Sequence, residues 1–264
     1  MTDTAVPTLP LNDGTTIPAI GLGTYGLNGS AGADSVAAAI ATGYRLIDTA
    51  YSYGNEDAVG EGIRRSGIDP AELVVTSKVP NGRHGRDAAL AAFDETMQRL
   101  GLEKLDLYLI HWPEPEDGLY VETWQALVEL QQQGRVRSIG VSNFDAQQLD
   151  DVISASGVTP AVNQVPVNLL RHNTAARETD ALRGVLTESY SPLKNAQTAS
   201  SHPEFARIAA DHGATRNQLI VRWHIDSGTV PIPRSRSAEH QRENFDVFGF
   251  TLSKEELARL DAIA

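Results

Sequence analysis

Cysteine is absent from the 264 residues of this chain, which excludes a disulfide framework, a thiol nucleophile and any thiolate-bound metal. The same absence fits a reducing compartment, and the expected location is the cytoplasm. No apolar run approaches the roughly 20 residues that cross a bilayer, so no membrane partner is expected. Met1 to Pro10 is polar, bears proline and lacks basic residues, and no secretory leader is read there. Basic residues are in deficit: 22 Lys and Arg against 34 Asp and Glu give a formal charge of -12, the wrong sign for a surface that meets phosphate backbones. No nucleic-acid partner is expected. The seven histidines show no ligand spacing and the acids are scattered, so no metal site is read. What remains is a globular chain, 41% apolar, whose partner is a small molecule.

What is present is a rhythm. Apolar strand, polar loop, amphipathic helix and a glycine or proline recur from Ile20 onward. The strands read as Ile20 to Gly23, Arg45 to Asp48, Leu73 to Val79, Leu105 to His111, Val136 to Ser142, Ala161 to Gln164, Leu186 to Tyr190 and Thr229 to Ile232. Helices fall between them, among them Asp34 to Thr42, Asp87 to Leu100, Tyr120 to Gln133 and Ala146 to Ser156, with Ser253 to Ile263 at the end. Alternating strand and helix predicts a parallel sheet with right-handed crossovers, and eight strands close into a (β/α)8 barrel. No linker or low-complexity tract breaks the beat, so residues 1–264 are read as one domain. Ahead of it, Thr8-Leu9 and Ile17 flank the turn Asn12-Asp13-Gly14, a short hairpin that caps the barrel.

Polar residues follow the apolar part of every strand: Thr24 with Tyr25, Asp48, Lys78, His111, Ser142 with Asn143, Gln164, Tyr190 with Ser191, and Arg234 with Ser235. In such a barrel all strand C-termini open on one face, where sites are built. The segment from Arg45 to Glu56 passes abruptly from a buried strand to acid, hydroxyl and phenol groups. If its loop folds back, Asp48 and Tyr53 share a cavity. A free phenol titrates near about 10 and is a poor proton donor, so it needs a cation. Lys78, inside an apolar strand, is costly to bury without a carboxylate and is either the partner of Asp48 or an edge lysine facing water. His111 is either structural or a group that polarises a carbonyl oxygen. Together the four make chemical sense: Lys78 and Asp48 bring the Tyr53 pKa down, Tyr53 gives a proton to a nascent alkoxide, and His111 orients the oxygen. None supplies electrons, and nicotinamide is the natural hydride source.

The strings Leu46-Ile47-Asp48-Thr49-Ala50 through Tyr53-Gly54-Asn55-Glu56, Thr76-Ser77-Lys78 and Leu107-Tyr108-Leu109-Ile110-His111-Trp112-Pro113 recur in a known family. So do Ile139-Gly140-Val141-Ser142-Asn143-Phe144, Val162-Asn163-Gln164, Tyr190-Ser191-Pro192-Leu193 and Ile232-Pro233-Arg234-Ser235. Over essentially its whole length the chain resembles the aldo-keto reductases, most closely bacterial reductases of the 2,5-diketogluconate type. The resemblance implies a monomeric, NADPH-dependent reductase of aldehydes and ketones with Asp48, Tyr53, Lys78 and His111 as its catalytic tetrad. It implies that Ser142, Asn143 and Gln164 hold the nicotinamide carboxamide, that Tyr190 stacks on the ring, and that Thr24 and Asp48 lie near its ribose. Ser191 and Leu193 match the loop on the pyrophosphate, and Arg234, Ser235, His240 and Asn244 the adenosine end. Tyr25 and Trp112 match aromatic positions lining a pocket for a small-molecule carbonyl compound.

Three departures matter. Arg234 stands where relatives usually carry lysine for the 2′-phosphate, which keeps the charge but changes its geometry. His240 stands where they carry arginine; a histidine attracts a phosphate dianion less at neutral pH, which makes NADH possible beside NADPH. Val165-Pro166-Val167-Asn168 replaces a Glu-x-His-Pro stretch, a departure that bears on local structure more than on chemistry; and because the sequence stops at Ala264 where relatives continue into a tail, a more open pocket is expected. Gly21-x-Gly23-x-x-Gly26 fits a dinucleotide-binding fingerprint by letter, but the helical pattern begins too late to offer its N-terminus to a pyrophosphate. Two other activities stay open: a cofactor-sensing binding subunit, and a Schiff-base lyase through Lys78.

Overall fold

A computed structural model describes residues 6–263 of the chain. The reading of Met1 to Pro10 as leaderless therefore falls partly outside the described residues, as does Ala264. A hairpin, β1 (Thr8–Pro10) and β2 (Thr16–Pro18), precedes eight parallel strands. These are β3 (Leu22–Gly23), β4 (Leu46–Asp48), β5 (Val74–Val79), β6 (Leu105–Ile110), β7 (Val136–Ser142), β8 (Val162–Pro166), β9 (Leu186–Tyr190) and β10 (Val230–Ile232). The helices are α1 (Gly29–Thr42), α2 (Glu56–Ser66), α3 (Arg86–Leu100), α4 (Tyr120–Gln132), α5 (Ala146–Ser156) and α6 (Thr174–Leu182). The second half adds α7 (Ala196–Ala199), α8 (Pro203–Asp211), α9 (Arg216–Asp226), α10 (Ala238–Phe245) and α11 (Lys254–Asp261).

Each strand pairs with the next in sequence. The ring closes where Gly21 N–H donates to Pro231 O at 3.0 Å and Gly23 N–H to Pro233 O at 3.1 Å, which joins β3 to β10. Eight strands in this order form the (β/α)8 barrel that the alternation predicted. Side chains on a strand alternate in direction, and the apolar residues sort accordingly. Ile47, Val75, Tyr108, Ile110, Ile139 and Val141 pack outward with the helices. Leu46, Leu107, Leu109, Val162 and Val230 point into the lumen.

The hairpin closes the floor of that lumen. Leu11 and Ile17 pack on Leu46, Leu107 and Val230. Asn12 Nδ2 donates to Pro160 O at 2.9 Å and Gly184 O at 3.1 Å, carbonyls that precede β8 and β9. The cap thus seals the end opposite the strand C-termini, and one step further up each strand the lumen residues turn polar.

One boundary differs from the sequence reading. Helix α1 begins at Gly29, not near Asp34. Its first turn, Gly-Ser-Ala-Gly, has no apolar side chain larger than a methyl group to show a period, and Gly32 packs so closely that a Cβ there would come within 2.3 Å of the Leu27 backbone. The fingerprint glycines serve the barrel instead: a Cβ on Gly21 would lie 2.8 Å from the Leu46 side chain and one on Gly23 3.2 Å from Ile232. Among the described residues no helix is long and apolar enough to cross a membrane.

Candidate active site

The polar end of the lumen is built from β4 outward. After Asp48 the chain enters a tight turn, Tyr51–Tyr53, and Gly54 takes a left-handed conformation (φ 63°) that reverses its direction. Asn55, buried, fixes the reversal: its Nδ2 donates to Thr24 O at 2.7 Å and Leu27 O at 3.0 Å, and its Oδ1 accepts from Thr49 Oγ1 at 3.1 Å. Tyr53 is thereby folded back over Asp48.

Beneath it lies Lys78, fully buried on β5. Its Nζ donates to Asp48 Oδ1 at 2.9 Å, Asp48 Oδ2 at 2.7 Å and Thr49 O at 2.8 Å, so all three ammonium hydrogens have acceptors. The edge-lysine alternative is excluded by that burial. The ammonium sits 5.2 Å from the centroid of the Tyr53 ring. From β6, the His111 ring meets Tyr53 edge-on with centroids 5.8 Å apart. The structure brings Asp48, Tyr53, Lys78 and His111 into one environment.

Their electrostatics correct one expectation. Burial pushes the Tyr53 phenol up, the Lys78 ammonium pulls it down, and the Asp48 charge pushes it up again; the net direction is upward from the ordinary value of 10.0. The Lys78 pull exceeds the Asp48 push, but burial outweighs it, so the phenol is not brought below its ordinary value. The ammonium is already engaged with its own carboxylate, and desolvation at the barrel mouth outweighs the charge left over. Tyr53 is held as a protonated phenol. For Lys78, burial pulls the ammonium down but Asp48 and Tyr53 oppose it, and the net direction is upward. His111 is pushed down to about 3, first by burial and then by the Lys78 charge, so it is neutral at pH 7. Among the described residues its buried Nδ1 has no partner, whereas Nε2 is not sealed in this way.

A cavity of about 440 Å³ opens above these groups. Of the sequence-read residues, Thr24, Tyr25, Asp48, Tyr53, His111, Trp112, Ser142, Asn143, Gln164, Tyr190, Ser191, Leu193 and Arg234 line it. Lys78 lies behind the wall. Ser235, His240 and Asn244 do not line it: Ser235 Oγ is turned onto Ser237, His240 is exposed on α10, and Asn244 is buried there with its Oδ1 unpaired. Arg234 reaches across the mouth to Tyr25 O at 3.3 Å.

The amides along one wall are ordered. Asn143 Nδ2 donates to His111 O at 3.1 Å and Ser142 Oγ at 2.9 Å, and its Oδ1 accepts from Tyr190 Oη at 3.1 Å. Gln164 Nε2 donates to Asp48 Oδ2 at 2.8 Å, while among the described residues no protein donor reaches its Oε1. An open amide oxygen beside the half-buried ring of Tyr190 fits a flat heteroaromatic ring carrying a carboxamide. Sequence reasoning missed Glu188, fully buried on β9 with its Oε2 2.7 Å from Gln164 Nε2. Its signal was there: Glu188 stands two positions before Tyr190 on one strand and so faces the same way. It also missed Pro192, Lys194 and Ile232 in the lining.

A model of the Aldo/keto reductase family matches residues 19–264. The chain is 43% identical to 2,5-diketo-D-gluconic acid reductase B of Corynebacterium sp. (strain SHS752001), over 98% of this chain and 92% of that one. An aldo/keto reductase from Brucella melitensis superposes with a TM-score of 0.94 at 40% identity, covering 98% of this chain and all of that one (100%). A Bombyx mori aldo-keto reductase solved in complex with NADP gives 0.91 at 35% identity, over 98% and 93% of the two chains.

Proposed function

The chain belongs to the aldo/keto reductase family and is an NAD(P)H-dependent oxidoreductase acting on carbonyl compounds; from that premise we propose that Tyr53 is the proton donor, with Lys78, Asp48 and His111 arranged to serve it. The carrying observation is the three-acceptor grip on the Lys78 ammonium, 5.2 Å from the Tyr53 ring, with a neutral His111 at the same mouth. Tyr190 and the Gln164 amide would hold a reduced nicotinamide, which would supply the hydride when bound. Tyr53, kept protonated by burial, gives its proton to the carbonyl oxygen as negative charge gathers there. The phenolate that remains faces Lys78, whose charge compensates it, and Asp48 keeps that ammonium in place. His111 donates a hydrogen bond from Nε2 to the same oxygen and so orients the substrate.

NADPH is the proposed cofactor. Arg234 at the mouth supports the 2′-phosphate, while His240 offers that phosphate less, so NADH is read as a weaker second. The substrate is read as a small carbonyl compound seated between Tyr25 and Trp112. Sugar-derived diketones belong in the first panel, because the Corynebacterium relative is named for one. The reading includes one domain acting as a cytoplasmic monomer, which gel filtration tests. A Schiff base on Lys78 is disfavoured, since attack requires a neutral amine and every acceptor around Nζ favours the ammonium.

The test is oxidation of NADPH by simple aldehydes, beside titrations of NADP+ and NAD+. Tyr53→Phe is expected to lose roughly 10²- to 10⁴-fold in turnover, the size of a general-acid contribution, with cofactor affinity within about twofold. Unchanged turnover in that variant removes Tyr53 as the acid. Tight cofactor binding by a wild-type chain that turns nothing over favours the sensing subunit.

A further inference from the structure

Gln164 and Glu188 are opposite one another in the β8–β9 ladder, and both face the lumen. The side-chain nitrogen of Gln164 lies 2.8 Å from Asp48 Oδ2 and 2.7 Å from Glu188 Oε2, so both amide hydrogens go to carboxyl oxygens. The reverse orientation would set the amide oxygen against the Asp48 carboxylate. Amide direction is thus dictated by the neighbours, and the oxygen is what Gln164 turns to the cavity it lines.

The mechanism above makes no use of Glu188, yet a fully buried carboxyl group is costly to place there. Burial pushes its pKa up, the Asp48 charge pushes it further, and Gln164 and Lys78 pull it down, with a net direction upward. Its Oε1 has no partner among the described residues. Among the described residues, the one hydrogen bond its carboxyl makes is with Gln164.

We propose that Glu188 is a positioning residue: together with Asp48 it locks the Gln164 amide so that only an acceptor faces the cavity, which selects a cofactor ring bearing an N–H donor, a primary carboxamide. The proposal rests on the reading that the nicotinamide ring lies against Gln164. It acts through orientation, not through contact with the reacting atoms.

The probe pair is NADP+ and its 3-acetylpyridine analogue, which keeps the carbonyl but lacks the N–H. Trp112 in the cavity lining reports binding of each by fluorescence quenching. Wild type is expected to prefer the carboxamide by roughly five- to tenfold, the value of one such hydrogen bond. Glu188→Leu, with its melting temperature checked, is expected to weaken that preference to about two- to threefold, because the amide then keeps only its bond to Asp48 Oδ2 and is held less firmly. A Glu188→Leu protein that folds and keeps the wild-type preference overturns the role of Glu188 and leaves the nicotinamide site standing. A wild type that binds neither probe overturns both. Should Glu188→Leu not fold, hydrogen exchange in the wild-type protein decides. The Gln164 side-chain amide signal, assigned by its loss in Gln164→Leu, exchanges slowly if both hydrogens are held by carboxyl oxygens, and fast exchange overturns the lock.

Discussion

On the inner wall of the cavity Gln164 is 2% and Asp48 3% exposed, and behind it Lys78 and Glu188 are 0% exposed; on its rim, Tyr25 is 65% exposed and Trp112 43%. The two walls face one space but answer to different physics. Inside, every charge has lost its water and is held by named partners, so removing one group strands another. At the rim, side chains keep their hydration and few interactions depend on any one of them. Chemistry that must not vary belongs to the first wall, and recognition of differing substrates to the second.

The harshest way to break the inner wall is Lys78→Met. It leaves Asp48 buried without its cation, and a loss of about 3–5 kcal/mol in unfolding free energy is expected from denaturant titration, with Gln164 Nε2 as the remaining side-chain donor to Asp48. A gentler probe is pH. His111 titrates at about 3 when folded against an ordinary 6.5, so between those values the native state binds fewer protons than the unfolded one. Its folded pKa is depressed, and stability is therefore full above about 6.5 and falls as pH drops toward 3. His111→Gln should flatten that acid limb by about one proton, or about 1.4 kcal/mol per pH unit, leaving the similar contribution of His224, which burial also holds at about 3. The smallest effect belongs to the rim. Trp112→Ala should change KM by a few fold, leave kcat nearly alone and shift stability by under about 1 kcal/mol, as measured by steady-state kinetics and thermal melts.

What could be read from the sequence follows the same division. Lys78 was legible because a lysine inside Leu73 to Val79 has no cheap explanation, and the Asp48–Tyr53 segment because a strand ends there in polar groups. The barrel was legible because strand and helix alternate without interruption. The direction of the Tyr53 pKa was not, since desolvation depends on what surrounds the ring in space. The spacing from Tyr190 could put Glu188 on the lumen face, but its partner was not legible, since that is set by the register of β8 against β9, and sequence does not print register. The start of α1 was hidden by a first turn whose one apolar side chain is the methyl group of Ala31. At the adenosine end, Ser235, His240 and Asn244 were read from matching positions; they lie outside this cavity, on the loop after β10 and on α10.

The most direct test of the inner wall is a double-mutant cycle on turnover between Tyr53→Phe and Lys78→Met, with cofactor affinity followed in all four proteins. If Lys78 acts through the Tyr53 hydroxyl, the two losses will not multiply: adding Lys78→Met to Tyr53→Phe should cost less than about threefold more. Losses that multiply in full would mean that the ammonium works independently of the phenol, and the proposed proton donor would lose its support.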